Sequence, residues 1–141
     1  VQDQESILLA DMPERIYRER RQYPRYQLWP DHKAYLEGMQ VHDISWSGLR
    51  VLSERSLRSG DTLKNVHLAL PLITHPQTEA VLYAGSRIQV PRIDVRYRLT
   101  QDVCSYYGLY FEEEWALEQS QELGDFLLAV RKHFFYRSRS R

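Results

Sequence analysis

Two stretches decide how this chain folds: Tyr106-Tyr-Gly-Leu-Tyr-Phe111 and, a dozen residues on, Leu123-Gly-Asp-Phe-Leu-Leu-Ala-Val130. The first is rich in aromatic strand formers. In the second, Leu123, Phe126, Leu127 and Val130, continued by Phe134, recur at helical spacing and make one apolar face. The period therefore changes after Phe111, and a single helix is predicted within 115–136. Glu112, Glu113, Glu114, Glu118, Glu122 and Asp125 put six acids and no base into 112–125. Arg131, Lys132, Arg137, Arg139 and Arg141 put five bases into 131–141. Acid at the start and base at the end suit the helix dipole.

Upstream, the signals are those of strands. Ala34, Leu36 and Met39 alternate with polar neighbours, followed by Val41 and Ile44, then Leu49, Val51 and Leu52. Val66, Leu68 and Leu70 alternate until Pro71, and the pattern resumes at Ala80, Leu82, Ala84, Ile88, Val90, Ile93 and Val95. Gly38, Gly48 and Ser59-Gly-Asp61 punctuate these runs as turns. Such spacing predicts an all-β fold, a small six- to seven-stranded antiparallel barrel or sandwich closed by one C-terminal helix. No internal repeat is present.

The chain has 141 residues, enough for one domain, and 43% hydrophobic content can build a core. Nineteen basic residues balance nineteen acidic ones. Zero net charge argues against a broad duplex nucleic-acid surface. The balance hides a skew, because 16 of the 19 bases are Arg and only Lys33, Lys64 and Lys132 are Lys. Arg adds a planar fork of donors that fits phosphate bidentately. Residues 15–25 hold five Arg against one Glu, and Pro24 argues against a helix there. No stretch approaches the roughly 18 apolar residues of a membrane span. The single cysteine, Cys104, forms no internal disulfide and suits a reducing, cytoplasmic compartment. An opening of Val1-Gln-Asp3, without Met, reads as a fragment or a processed chain.

Catalytic chemistry finds no support. His32, His42, His67, His75 and His133 show no metal-ligand spacing, and no nucleophile elbow, Walker loop or dinucleotide fingerprint occurs. The expectation is a protein that is not an enzyme, with no cofactor and no metal.

Two clusters stand out. One is Arg20-Arg21-Gln-Tyr-Pro-Arg25, the other Asp43-Ile-Ser-Trp-Ser-Gly48. Guanidinium groups clamp phosphate or pair with the guanine edge. Asp43 offers a carboxylate to the N–H donors of a guanine, Ser45 gives and takes a hydrogen bond, and Gly48 admits a close backbone approach. Read singly, each cluster is ordinary: an Arg-rich segment is a solvated linker, and Asp-x-Ser before Gly is a turn.

Together the clusters are similar to the signature of PilZ domains, bacterial receptor modules for cyclic di-GMP, in which Arg-x-x-x-Arg is followed by Asp/Asn-x-Ser-x-x-Gly. The resemblance covers about residues 18–136 and extends to Gly108-Leu-Tyr-Phe111 and the helix after it. It implies a leader or interdomain linker at 1–17, a PilZ-like domain at 18–136 and a disordered basic tail at 137–141. The leader Leu8-Leu-Ala-Asp-Met-Pro-Glu-Arg-Ile-Tyr-Arg18 resembles the segment ahead of the PilZ domain in flagellar-brake-type two-domain proteins, which implies an upstream domain. By the same resemblance Arg21 and Arg25 grip phosphate and guanine, Asp43 and Ser45 read a guanine edge, and Gly48 shapes the turn. Arg20 implies a stacked dimer of the ligand. Trp46 and Arg87 are secondary candidates, Trp46 as a rim, core or stacking residue and Arg87 as a contact from a barrel strand. The implied role is cytoplasmic control of motility, biofilm or exopolysaccharide through an effector protein such as the flagellar motor or a secretion or polysaccharide machine. The alternatives are a nucleotide-independent interaction module of the same fold and a single-stranded nucleic-acid-binding barrel, for which Arg and ten Tyr would supply charge and stacking.

Overall fold

Apolar residues at every second position need a common interior, and a sheet curled on itself supplies one. The computed structural model describes residues 24–101, 104–111, 115 and 117–139. Its elements are β1 (Tyr26–Gln27), β2 (Tyr35–Leu36), β3 (Met39–Ile44), β4 (Gly48–Ser53), β5 (Thr62–Leu70), β6 (Ile73–Thr74), β7 (Val81–Tyr83), β8 (Ser86–Gln101), β9 (Cys104–Phe111) and α1 (Leu117–Arg139).

The large sheet runs β1-β3-β2-β5-β8-β9-β4, and β3 also pairs with β4. That last pairing closes six strands into an antiparallel barrel and leaves β1 as an extra strand on β3. The expected fold class is therefore found. β6 and β7 do not enter the barrel; they pair with each other in a separate two-stranded sheet. The run Ala80–Ala84, which continues the alternation in sequence, thus serves a small hairpin beside α1.

The interior holds Leu36, Val41, Ile44, Leu49, Val51, Leu68, Val90, Ile93, Val95, Tyr107 and Leu109, all essentially without solvent exposure. On β8 the inward set shifts from Ile88 and Val90 to Ile93 and Val95, an odd step in a period of two. The shift falls at Pro91, between the pairs Val66↔Val90 and Lys64↔Arg92. Proline offers no N–H to the ladder. Opposite it, Asn65 takes a φ of 52°, a left-handed conformation that asparagine tolerates. On β9, Gly108 leaves room for the ring of Tyr97, which lies where a Cβ would stand.

Helix α1 covers the barrel through Leu123, Phe126, Leu127, Ala129 and Val130. Phe126 meets the Tyr83 ring edge-on with centroids 5.3 Å apart, and the Tyr83 hydroxyl donates to Glu122 at 2.6 Å. Burial, aided by the Glu122 carboxylate, pushes that hydroxyl's pKa well above its ordinary value. The helix runs through Arg139, past the boundary at 136 drawn from the sequence. Its last turns are held: Arg137 donates to Asp31 at 3.0 Å, and the Arg139 guanidinium lies over the Phe135 ring. Ser140, Arg141 and the 1–17 leader lie outside the described residues.

Beside this end of the helix, His32 is buried against His133 and Phe134, with ring centroids 4.8 and 6.0 Å away. Its Nε2 has no hydrogen-bond partner among the described residues. Burial lowers the His32 pKa below 6.5; His133 and Arg137 lower it further, while Asp31 opposes them. In the window between that lowered value and 6.5 the unfolded chain binds more protons than the folded one, so stability is lost as pH falls. The thermal midpoint is expected to drop between about pH 7.5 and about pH 5, and His32→Phe to make that drop smaller. An unchanged drop in the variant would assign it to other groups.

Candidate functional site

Asp43 sits near the end of β3, facing Arg50 of β4 in the hairpin register. A bulge between Val41 and Asp43 breaks the ladder at His42. The carbonyl of His42 instead accepts the N–H groups of Leu28 and Trp29, at 2.9 and 3.3 Å, tying the chain after β1 to the bulge. β1 pairs with the same end of β3, Tyr26↔Ile44 and Gln27↔Asp43. These pairings bring the two sequence clusters together.

The Asp43 side chain is only 4% exposed. Arg25 Nη1 donates to its Oδ1 at 2.6 Å. Arg50 donates to Oδ2 twice, from Nε at 2.9 Å and Nη2 at 2.5 Å, and His42 Nδ1 lies 3.3 Å from the same oxygen. Two guanidiniums therefore share one carboxylate, leaving the cluster with a surplus positive charge at the barrel's surface. The Arg50 guanidinium also rests 5.8 Å from the Tyr106 ring centroid, and His42 meets that ring edge-on at 5.4 Å. Such a group suits an anion bearing hydrogen-bond donors.

Ser45 and Gly48 shape the β3–β4 turn. Ser45 N–H donates to Gly48 O at 2.8 Å, and the Ser45 hydroxyl accepts the Ser47 N–H at 3.2 Å. The hydroxyl of Ser45 is thus engaged within the turn, as an ordinary Ser-x-x-Gly turn would have it. Gly48 lies so close to β9 that a Cβ would stand 2.2 Å from the Leu109 carbonyl oxygen. Trp46, 38% exposed, leans its indole edge on α1, where a Cβ at Gly124 would come within 3.0 Å of it.

Among the residues singled out in sequence, the structure brings Arg25, Asp43, Ser45 and Gly48 together, with Trp46 at the turn. Arg87 is not part of that group: it is exposed on β8 opposite Ala69, and its charge acts on Glu37. Arg20, Arg21 and the Glu112–Glu114 run lie outside the described residues. Sequence reasoning missed Arg50, His42 and Tyr106. Arg50 was within reach, because a hairpin turning at 45–48 places it across from Asp43, and opposite charges on facing residues pair.

Removing Asp43 would leave two guanidiniums crowded without their carboxylate. A denaturation double-mutant cycle on Asp43→Ala and Arg50→Ala should return a coupling of about 0.5–3 kcal/mol; additivity would show that the pair is incidental. Gly48→Ala should destabilise by about 1–3 kcal/mol through overpacking against β9.

No family profile matches the chain, and no curated protein matches it. Solved structures do. YcgR of Escherichia coli in complex with c-di-GMP superposes with a TM-score of 0.63 at 11% identity, over 86% of this chain and 50% of that one. The K. pneumoniae MrkH–c-di-GMP complex gives 0.60 at 18% identity, over 84% and 53%. The Bacillus subtilis inhibitor of motility, MotI, gives 0.51 at 18% identity, over 82% and 52%. This chain spans about half the length of each of these solved chains. The likeness is one of fold: a closed antiparallel barrel with a C-terminal helix, in the PilZ-like arrangement.

Proposed function

We propose that this chain is a receptor for cyclic di-GMP and not a catalyst. The observation that carries the reading is the meeting of Arg25 with Asp43, residues 18 positions apart, in one partly buried charge cluster. Two of the solved chains with this fold are complexes with c-di-GMP. In the proposed complex Asp43 accepts the N1–H and N2–H₂ donors of a guanine. The contact it now gives Arg25 is exchanged, and Arg25 turns with Arg21 onto phosphate and the guanine O6 and N7. Ser45 reads that edge beside Asp43. Arg20 adds the charge that a second, stacked nucleotide needs.

Two clamped Arg and one Asp–guanine pair at about 1–3 kcal/mol each, with modest help from stacking, bring the roughly −8 kcal/mol of micromolar binding within reach. A multivalent anion of this kind would fix the Arg-bearing segment onto the barrel, and ordering a segment is a recognised switching device. The output would be relayed to an effector protein controlling motility, biofilm or exopolysaccharide, in the cytoplasm of a bacterium. An upstream domain would be the natural receiver within a longer chain.

Calorimetric titration with cyclic di-GMP, GTP and a short oligonucleotide tests the reading. Cyclic di-GMP should bind with a ligand-to-protein ratio near two. Arg21→Ala or Arg25→Ala should weaken it by about tenfold or more, equivalent to about 1.4 kcal/mol, while Lys64→Ala leaves it unchanged. No heat with cyclic di-GMP would leave the barrel as an interaction module, and heat with the oligonucleotide alone would make it a single-strand binder. A ratio near one would remove the role given to Arg20.

A further inference from the structure

β8 is far longer than the strand beside it. β5 covers it only from Ser86 to Asp94. The loop before β5 covers two residues more: Gly60 N–H donates to Val95 O and Val95 N–H to Asp61 O, both at 2.8 Å, and the Ser59 hydroxyl donates to Arg96 O at 2.9 Å. Beyond Arg96 the strand continues to Gln101, paired with β9 alone. Among the described residues, no backbone hydrogen bond is made to the other edge of Tyr97–Thr100. Barrels normally abolish such edges, so a row of unpaired N–H and C=O groups is a template for another strand.

The surroundings of this edge are cationic and partly apolar. Arg96 and Arg98 flank it on β8, resting over the Tyr110 and Tyr107 rings at 5.0 and 5.8 Å. The adjoining loop contributes Arg55, whose carbonyl accepts the Tyr107 hydroxyl at 2.9 Å, and Arg58, next to Ser59. Leu99, next after Arg98 on the strand, is 51% exposed.

We propose that the open edge of β8 at Tyr97–Thr100 is a docking site for an extended, acidic segment of a partner protein, which adds to the sheet as a strand. Backbone hydrogen bonds would set the register, Leu99 would supply an apolar contact on alternate residues, and the four Arg would select carboxylates. A second copy of this chain fits poorly, because pairing two such edges would bring their Arg groups into one neighbourhood, like charge beside like. A nucleic acid would have no use for the row of amides. The inference does not rest on the nucleotide reading and survives its failure.

The test uses the full chain and a short blocked peptide of alternating Glu and Val, with a Lys–Val peptide and an oligothymidylate as comparators. Backbone amide shifts and amide exchange report the site. The acidic peptide is expected to shift Tyr97–Thr100 and slow their exchange. Arg96→Glu should weaken it about fivefold or more, Leu99→Glu likewise, and Lys64→Glu on β5 not at all. Unchanged exchange at Tyr97–Thr100 with the acidic peptide overturns the proposal. So does an equal response to the Lys–Val peptide, or a response of these amides to oligothymidylate alone.

Discussion

The structure depends on the pairing of β3 with β4. Without it the sheet would be an open ribbon; with it, six strands enclose a core, and β3 and β4 cover each other. β3 bears the whole junction. It bonds β4 along one side, and along the other it shares its length between β1 and β2. Serving three partners from six residues requires a break in register, and the bulge at His42 is that break. Every functional candidate the structure describes, except Arg87, lies within a few residues of this junction.

At the junction a charge is kept from water. An acidic side chain 4% exposed must be paired, since an isolated buried carboxylate is costly. Asp43 solves this with Arg50 from its own hairpin and Arg25, the residue just ahead of β1. The two contacts differ in kind. Arg50 grips through a rigid fork and is backed by Tyr106, so it behaves as part of the wall. Arg25 makes a single contact from the residue ahead of a short edge strand, and is the one that another donor could replace. Ser45, in contrast, spends its hydroxyl on the turn.

Much of this was legible in the residues. Alternation announced the barrel, the change of period after Phe111 announced the helix, and paired motifs brought Arg25 and Asp43 into one expectation. What escaped has physical reasons. Periodicity reports which residues are buried and not which sheet buries them, so Ala80–Ala84 could not be told from a barrel strand. The parity shift on β8 needs Pro91 and Asn65 to be recognised as facing each other, a matter of register between strands. The helix end was placed short because Arg137 and Arg139 look like a solvated tail until Asp31 and Phe135 are seen beneath them. Arg50 was hidden among apolar neighbours in a run read only for its alternation.

The contact between Trp46 and Gly124 turns the helix into a lever. At about 1.5 Å per residue, the stretch from Gly124 to Arg139 is about 22 Å long. A tilt of about 5° where the indole presses would carry the far end through about 2 Å. That end holds Asp31 through Arg137, and with it the loop between β1 and β2. Displacing the turn by a fraction of a side chain's width would therefore be felt at Asp31, well away from the indole along the helix. The absence of a side chain at residue 124 is what lets the turn sit close enough to push.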